Sequence, residues 1–189
     1  ASMREELIKA CFAMASRRVG ALIAIEQSAD LDEYVDRATT IDAEVSHELL
    51  SAIFHPTSPL HDGAVVIQKN RIAAAQAFFP LSLSKEISRF FGTRHRAAIG
   101  LTEETDAVAI IVSEERGTVS LVVDGRIVPT GNANELREQI QEILQAVPEA
   151  RDPDAQPARQ AETEEVLRGD HEIETGVQII GEFVRIGIA

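Results

Sequence analysis

Apolar residues recur at helical spacing through Leu7, Ile8, Cys11, Phe12 and Met14–Ala15, and the run closes in Arg17, Arg18 and Gly20. That pattern predicts an amphipathic helix with a C-terminal stop. "GALIAIE" follows as a short, continuously apolar run, the mark of a buried strand. "ADLDEYVDRAT" predicts a short helix and "SHELLSAIF" another, with Ser46 placed to cap it. "HPTSPLHDG" is a proline-broken loop. "GAVVIQ" and "RIAAAQAFF" then flank Lys69–Asn70, the pattern of a β-hairpin. "PLSLSKEISRFFG" reads as a loop with one helical turn, and "TRHRAAIGLTEET" as a helix with Thr93 at its N-cap. "DAVAIIVS" and "GTVSLVVDG" are strands around the turn "EERG", and "RIVPT" is a short third. "NELREQIQEILQAV" closes the series as an amphipathic helix on Leu136, Ile140, Ile143 and Leu144.

Strands mixed with helices in this order predict an α/β (α+β) domain: a central mixed sheet of at least five strands with helices flanking it. Its expected span is residues 4–147. Beyond Pro148 the apolar period stops. Residues 149–174 hold nine acids against three arginines, a composition that cannot bury enough surface to fold alone. Residues 148–174 are therefore expected to be an acidic, disordered linker, and 175–189, "TGVQIIGEFVRIGIA", a short β-like segment.

A net charge of −13 over 189 residues argues against nucleic-acid binding, which needs clustered lysine and arginine. It leaves room for a small phosphorylated ligand in a local basic pocket. The single cysteine, Cys11, excludes an internal disulfide and a cysteine-rich zinc site, and fits a reducing compartment. No apolar run is long enough to span a membrane, and no secretory leader pattern opens the chain. His47 and His55 have no partners at ligand spacing and read as surface or loop residues.

Three stretches combine polar groups in a way a core does not require. In "HDGA", His61 to Ala64, a carboxylate at the mouth of a strand can bind a cation or deprotonate a hydroxyl, although Asp-Gly is also a common turn dipeptide. Gly63 and Ala64 leave space against the backbone. In "GTRHRAAIG", Arg94, His95 and Arg96 crowd a helix start where the dipole is already positive, an unfavourable cluster unless an anion neutralises it. Phosphate suits both N–H donors and guanidinium forks; a solvated basic turn paired with the abundant acids is the alternative. In "SEERG", the Ser113 hydroxyl can donate to phosphate, and the glutamates can hold a metal or serve as plain surface charge. A metal on such residues would be oxygen-ligated with one histidine, hence Mg²⁺, Mn²⁺ or Co²⁺. The common glycine-rich nucleotide loops and the G-x-S-x-G elbow are absent from the sequence.

Taken as a set, "LHDGAVVI", "GTRHRAAIG" and "TDAVAIIVSEERGTVS" resemble the catalytic domain of the diadenylate cyclases, which make cyclic di-AMP from two ATP molecules. The likeness covers roughly residues 4–145 and is closest to the membrane-anchored branch, through "GALIAIE" and "DAEVSHELLSAIF" as well. It implies that Asp62 activates a ribose 3′-hydroxyl, and that Gly63 and Ala64 line the nucleotide closely. Thr93, Arg94 and His95 would hold the triphosphate with Arg96 in support, and Ser113 would contact phosphate oxygens. His61, Asp62 and Glu115 would place the divalent cation. Phe78 and Leu81 would face the base; Phe78 stands where members often carry tyrosine, so stacking survives and a hydroxyl contact is lost. The resemblance further implies ATP as substrate, a facing homodimer or higher homo-oligomer, and a cytoplasmic domain whose parent is anchored by an upstream segment. A non-catalytic ATP or cyclic-dinucleotide sensor is the alternative reading.

Overall fold

The computed structural model describes residues 2–85 and 90–145. The helical turn expected near 86–89 and the segments expected at 148–174 and 175–189 lie outside the described residues. By its contacts the chain divides into units 1–138 and 139–189; the fold below is that of the first, whose last helix continues into the second.

Helix α1 (Met3–Ser16) begins at Ser2, whose Oγ accepts from the Glu5 N–H. It ends in a Schellman motif: Arg18 N–H donates to the Ala15 carbonyl and Val19 N–H to that of Met14. The left-handed residue of that motif is Arg18, at φ 57°, and not the glycine that the sequence suggests as a stop. Gly20 has another use, described below. Leu7, Ile8, Cys11 and Met14 are all buried, each large aliphatic contributing about 1.5–3 kcal/mol by burial. Cys11 is inert packing, its thiol pushed up to about 12 by burial.

Strand β1 (Ala21–Ile25) is buried along its whole length, as its continuous apolar run predicts. Helix α2 (Asp32–Val35), strand β2 (Thr39–Glu44) and helix α3 (His47–Ile53) follow, with Ser46 Oγ capping α3 by accepting from the Leu49 N–H. Strands β3 (Ala64–Gln68) and β4 (Arg71–Ala77) form the expected hairpin, with Lys69 and Asn70 both at positive φ. Helix α4 (Thr93–Glu104), strands β5 (Val108–Val112), β6 (Val119–Val123) and β7 (Arg126–Thr130), and helix α5 (Ala133–Gln145) complete the order.

Among the described residues the sheet has seven strands in the order β2-β4-β3-β1-β5-β6-β7. Only β1 and β3 run parallel; every other neighbouring pair is antiparallel. Helices α1 and α3 pack together, and α1 also reaches β5 and β6, while α4 packs on β1, β5, β6 and β7. Leu22, Ala24, Val66, Ala98, Ile99, Leu101, Ala109 and Ile111 form one of its buried clusters.

Strand β2 has no counterpart in the sequence reading. It lies at the sheet edge with alternate residues exposed, and a bulge at Asp42 (φ 46°) breaks its register between Thr40 and Ala43. A polar edge strand carries no apolar period to detect.

Candidate active site at one edge of the sheet

Register decides what meets what. Ala21 pairs with Val112, Ile23 with Val65, and Ala64 with Ala77. The start of β1, the start of β3, the end of β4 and the end of β5 therefore share one edge. Gly20, Asp62–Gly63, Phe78 and Ser113 all stand there, although they are far apart in sequence.

Gly63 turns the chain into β3 at φ +102°, and a Cβ on it would lie 2.9 Å from Gln76 Cα and 3.0 Å from the Ala77 carbonyl oxygen. Both the dihedral and the space demand glycine. Opposite it, Gln76 takes φ 61° where the β3–β4 register shifts. Its side chain accepts from Thr39 Oγ1 at 2.8 Å and donates to the Pro59 carbonyl at 2.8 Å. Gln76 thus holds the loop that delivers His61 and Asp62, a role without a local sequence signal. The Asp62 carboxylate is exposed and has no hydrogen bond or ion pair among the described residues. His61 Nδ1 lies 2.6 Å from the Ser58 carbonyl oxygen. Because that oxygen can only accept, Nδ1 carries a hydrogen and Nε2 is the ring nitrogen left to serve as a ligand.

Helix α4 starts one residue earlier than expected. Gly92 is the N-cap, without a side-chain cap bond, and Thr93 is the first helical residue. The first intrahelical bond runs from Arg96 N–H to the Gly92 carbonyl, so the N–H groups of Thr93, Arg94 and His95 precede it and point out of the helix start. Gly100 lets this helix sit against the segment after β4, where Ser82 N–H donates to the Arg96 carbonyl at 3.0 Å. That segment carries Phe78 and Leu81, 66% and 40% exposed. Such exposure suits a face that covers a flat ring.

Arg94 Nη1 lies 3.2 Å from a Glu114 carboxylate oxygen. The His95 ring stacks on Phe91 with centroids 5.0 Å apart, and the Arg116 guanidinium lies 5.9 Å from the centroid of the Phe91 ring. Burial holds the His95 pKa below its ordinary value, with Arg116 and Arg94 adding to the effect and Glu115 opposing it. Arg96 Nε is buried and finds no acceptor among the described residues. A buried donor left so is costly unless a ligand supplies an oxygen.

Ser113 is buried at the end of β5; its Oγ accepts from Arg116 N–H at 3.2 Å, leaving its own hydrogen to donate. Its carbonyl accepts from Gly117 N–H at 2.8 Å, closing the turn that carries Glu114 and Glu115. The Arg18 guanidinium donates to the Glu115 main-chain oxygen. The three candidate metal ligands do not form one cluster. Among the described residues, the groups with ligand atoms mutually within 4.8 Å are Glu6–His47–Glu48 and Glu26–Asp30–Asp32. His47, expected to have no partner at ligand spacing and to be a surface or loop residue, lies 2.7 Å from Glu6 and 3.0 Å from Glu48. Glu6 lies 41 positions away on α1, beyond any local spacing rule. A cavity of about 370 Å³ lined by Glu26, Asp32, Gln68 and Arg71 opens at the other ends of β1 and β3 and contains none of the candidate residues.

The fold and the edge together define a class: an α+β domain with an unpartnered carboxylate, a cationic helix start and a hydroxyl-bearing turn at the same end of its sheet. Residues 8–127 match the DAC family model, described as DisA bacterial checkpoint controller nucleotide-binding. The cyclic di-AMP synthase CdaA of Bacillus subtilis (strain 168) is 47% identical over 143 residues, covering 75% of this chain and 50% of that protein. The diadenylate cyclase of Mycoplasma pneumoniae is 37% identical over 146 residues, covering 76% of this chain and 72% of that one. A crystal structure of a double mutant of DacA from Staphylococcus aureus matches with a TM-score of 0.72 at 42% identity, covering 75% of this chain and 95% of that chain. The chain belongs to the diadenylate cyclase (DAC) domain family. It spans about half the length of the first curated relatives it matches.

Proposed function

We propose that this domain is the catalytic part of a diadenylate cyclase, a nucleotidyltransferase that joins two ATP molecules into cyclic di-3′,5′-AMP and releases two pyrophosphates. The observation that carries the reading is the convergence of Asp62, the Thr93–Arg96 helix start and Ser113 on one sheet edge. Relatives named cyclic di-AMP synthase and diadenylate cyclase support it.

In this reading the Asp62 carboxylate takes the proton of a ribose 3′-hydroxyl. The freed oxygen bonds to the α-phosphorus of a second ATP, and the bond from that phosphorus to the pyrophosphate oxygen breaks. The N–H groups of Thr93, Arg94 and His95, the Arg94 fork and the Ser113 hydroxyl hold the phosphates. Arg96 Nε supports them, its missing acceptor supplied by bound nucleotide. Phe78 and Leu81 cover the base, while Gly63 and Ala64 let it lie shallow. Positioning and charge stabilisation supply the rate, as phosphoryl transfer generally requires.

His61 Nε2 and the free Asp62 carboxylate fit a divalent cation that takes its remaining ligands from phosphate oxygens and water, as Mg²⁺ does; Mn²⁺ and Co²⁺ suit the same donors. Such an ion, when bound, neutralises charge on the triphosphate and sharpens the acidity of the attacking hydroxyl. Glu115, on the separate 113–117 turn, joins this set only if nucleotide draws the two sides together.

One site holds one triphosphate and one carboxylate, yet the product needs two new bonds. Two copies facing across a two-fold axis meet that need, each delivering its 3′-hydroxyl to the other's α-phosphorus. The proposed catalytic span is 4–147, with 148–174 a linker and 175–189 outside the chemistry. No helix among the described residues is long and apolar enough to cross a membrane. An anchored parent remains part of the proposal.

The test is incubation of the chain with ATP and each of Mg²⁺, Mn²⁺ and Co²⁺, with products identified by mass. One cyclic di-AMP for every two pyrophosphates, one pyrophosphate per bond formed, is expected. Folded protein that binds ATP and forms no product with any metal would replace the cyclase with a sensor.

A further inference from the structure

We infer that Glu114 holds the triphosphate cradle when nucleotide is absent, so that ATP enters by displacing a carboxylate of the same chain from Arg94. The inference rests on the assignment of Arg94 to phosphate above, and identifies Glu114 as the residue that tunes that site's affinity.

Arg94 belongs to the helix start that the geometry directs at an anion, and in this structure its anion is Glu114, at 3.2 Å. The pair sits at the mouth of the site: the Arg94 side chain is 27% exposed and that of Glu114 57%, so the glutamate can swing into solvent without unpacking anything. Carboxylate and phosphate oxygens compete for the same guanidinium face.

Two features show that the pair has a prepared seat. Gly20 is buried just before β1, and a Cβ there would lie 2.5 Å from Arg94 Nη1 and 2.8 Å from Glu114 Oε2. Its φ is not in the left-handed region, so what the glycine provides is the space these two movable side-chain tips fill. The main chain beside Glu114 is also pinned. Arg18 donates to the Glu115 carbonyl, Gly117 N–H bonds the Ser113 carbonyl, and Gly117 at φ +65° fits against the Ala15 carbonyl and the Arg18 side chain. The turn therefore aims Glu114 while leaving its tip free to exchange.

A half-exposed ion pair contributes little, so the competition is modest: a penalty of up to about fivefold on nucleotide affinity. The displaced glutamate also stays near the incoming triphosphate, and that like-charge contact acts in the same direction. An orienting role for Glu114 predicts the opposite sign, because losing the orienting partner would weaken nucleotide binding.

The experiment measures calorimetric binding of a non-hydrolysable ATP analogue with Mg²⁺ to the full chain, as wild type, Glu114→Gln and Glu114→Asp. Adenosine serves as the phosphate-free control. Glu114→Gln is expected to bind the analogue about two- to fivefold more tightly at low salt, with the gain shrinking at high salt. Adenosine binding should not change, Glu114→Asp should stay near wild type, and in turnover KM should fall while kcat holds. Unchanged or weaker analogue binding by Glu114→Gln, or an equal gain for adenosine, overturns the inference. If wild type makes product and only the glutamate effect is missing, the cyclase reading stands without it. If wild type neither binds the analogue nor makes product, both fall.

Discussion

Gly100 lies against Pro80: a Cβ built on the glycine would sit 2.0 Å from the Pro80 carbonyl oxygen. The obstacle is backbone, so it cannot rotate away as a side-chain tip would. This contact seats helix α4, and with it Arg94 and His95, against the segment carrying Phe78 and Leu81. Gly100→Ala is expected to destabilise the fold by roughly 1–3 kcal/mol or more and to lower activity further by shifting the helix start. Urea unfolding and turnover measured on the same sample check this; unchanged stability would mean the segment yields freely. Gly20→Ala makes the contrast, since it meets only movable side-chain tips and should cost the fold little.

Binding and chemistry should separate between two residues at the site. Asp62 has no partner to lose among the described residues, so Asp62→Asn should fold normally, bind ATP near wild-type affinity and lose turnover. Arg94→Ala should weaken ATP binding by roughly 1.5–3 kcal/mol, the usual cost of a charge-assisted contact, or about ten- to a hundredfold. Calorimetric affinity beside single-turnover rates distinguishes the two. Near-normal turnover in Asp62→Asn would remove the carboxylate from the mechanism.

The buried, cation-flanked His95 ring makes stability depend on pH in a definite direction. Its folded-state pKa lies below the ordinary 6.5, so the unfolded chain takes up the proton first. The contribution is fully present above about pH 6.5, declines as pH falls from there toward the folded pKa, and levels off below it. Glu6, held low first by the hydrogen bond from the His47 backbone and then by that from its ring, loses its contribution in a more acidic window, below its ordinary 4.5. Urea midpoints should therefore drop between neutral and mildly acidic pH in wild type and less in His95→Gln. Identical pH profiles for the two proteins would contradict the assignment.

Two facing domains carry two triphosphates toward each other, so repulsion should make the bare pairing weak and metal-dependent. Specific activity is expected to fall on dilution. Excess Asp62→Asn chains should suppress wild-type turnover by forming mixed pairs in which only one of the two bonds can close. Constant specific activity well below the measured dimer dissociation constant would rule the facing pair out.

Sequence alone determined the elements whose burial follows a local rule. The apolar run Ala21–Ile25 read as a buried strand, Ser46 as a helix cap and Lys69–Asn70 as a hairpin turn, and the structure has all three. The motifs at 61–64, 93–96 and 113–115 were legible because each places a costly polar group where a core has no use for one. Strand β2 escaped because an exposed edge needs no apolar period. The α4 cap fell on Gly92 because a free backbone N–H, not a side-chain oxygen, is what that helix start presents. Arg18 took the left-handed position usually given to glycine, held by α1's closing hydrogen bonds and its reach to Glu115. Tertiary structure alone decided the partnerships: Gln76 with Pro59, Gly20 with Arg94 and Glu114, His47 with Glu6. Those pairs are 17 to 94 residues apart, set by strand register and helix packing. A local pattern encodes which face of an element is buried, but not which distant side chain will share its edge.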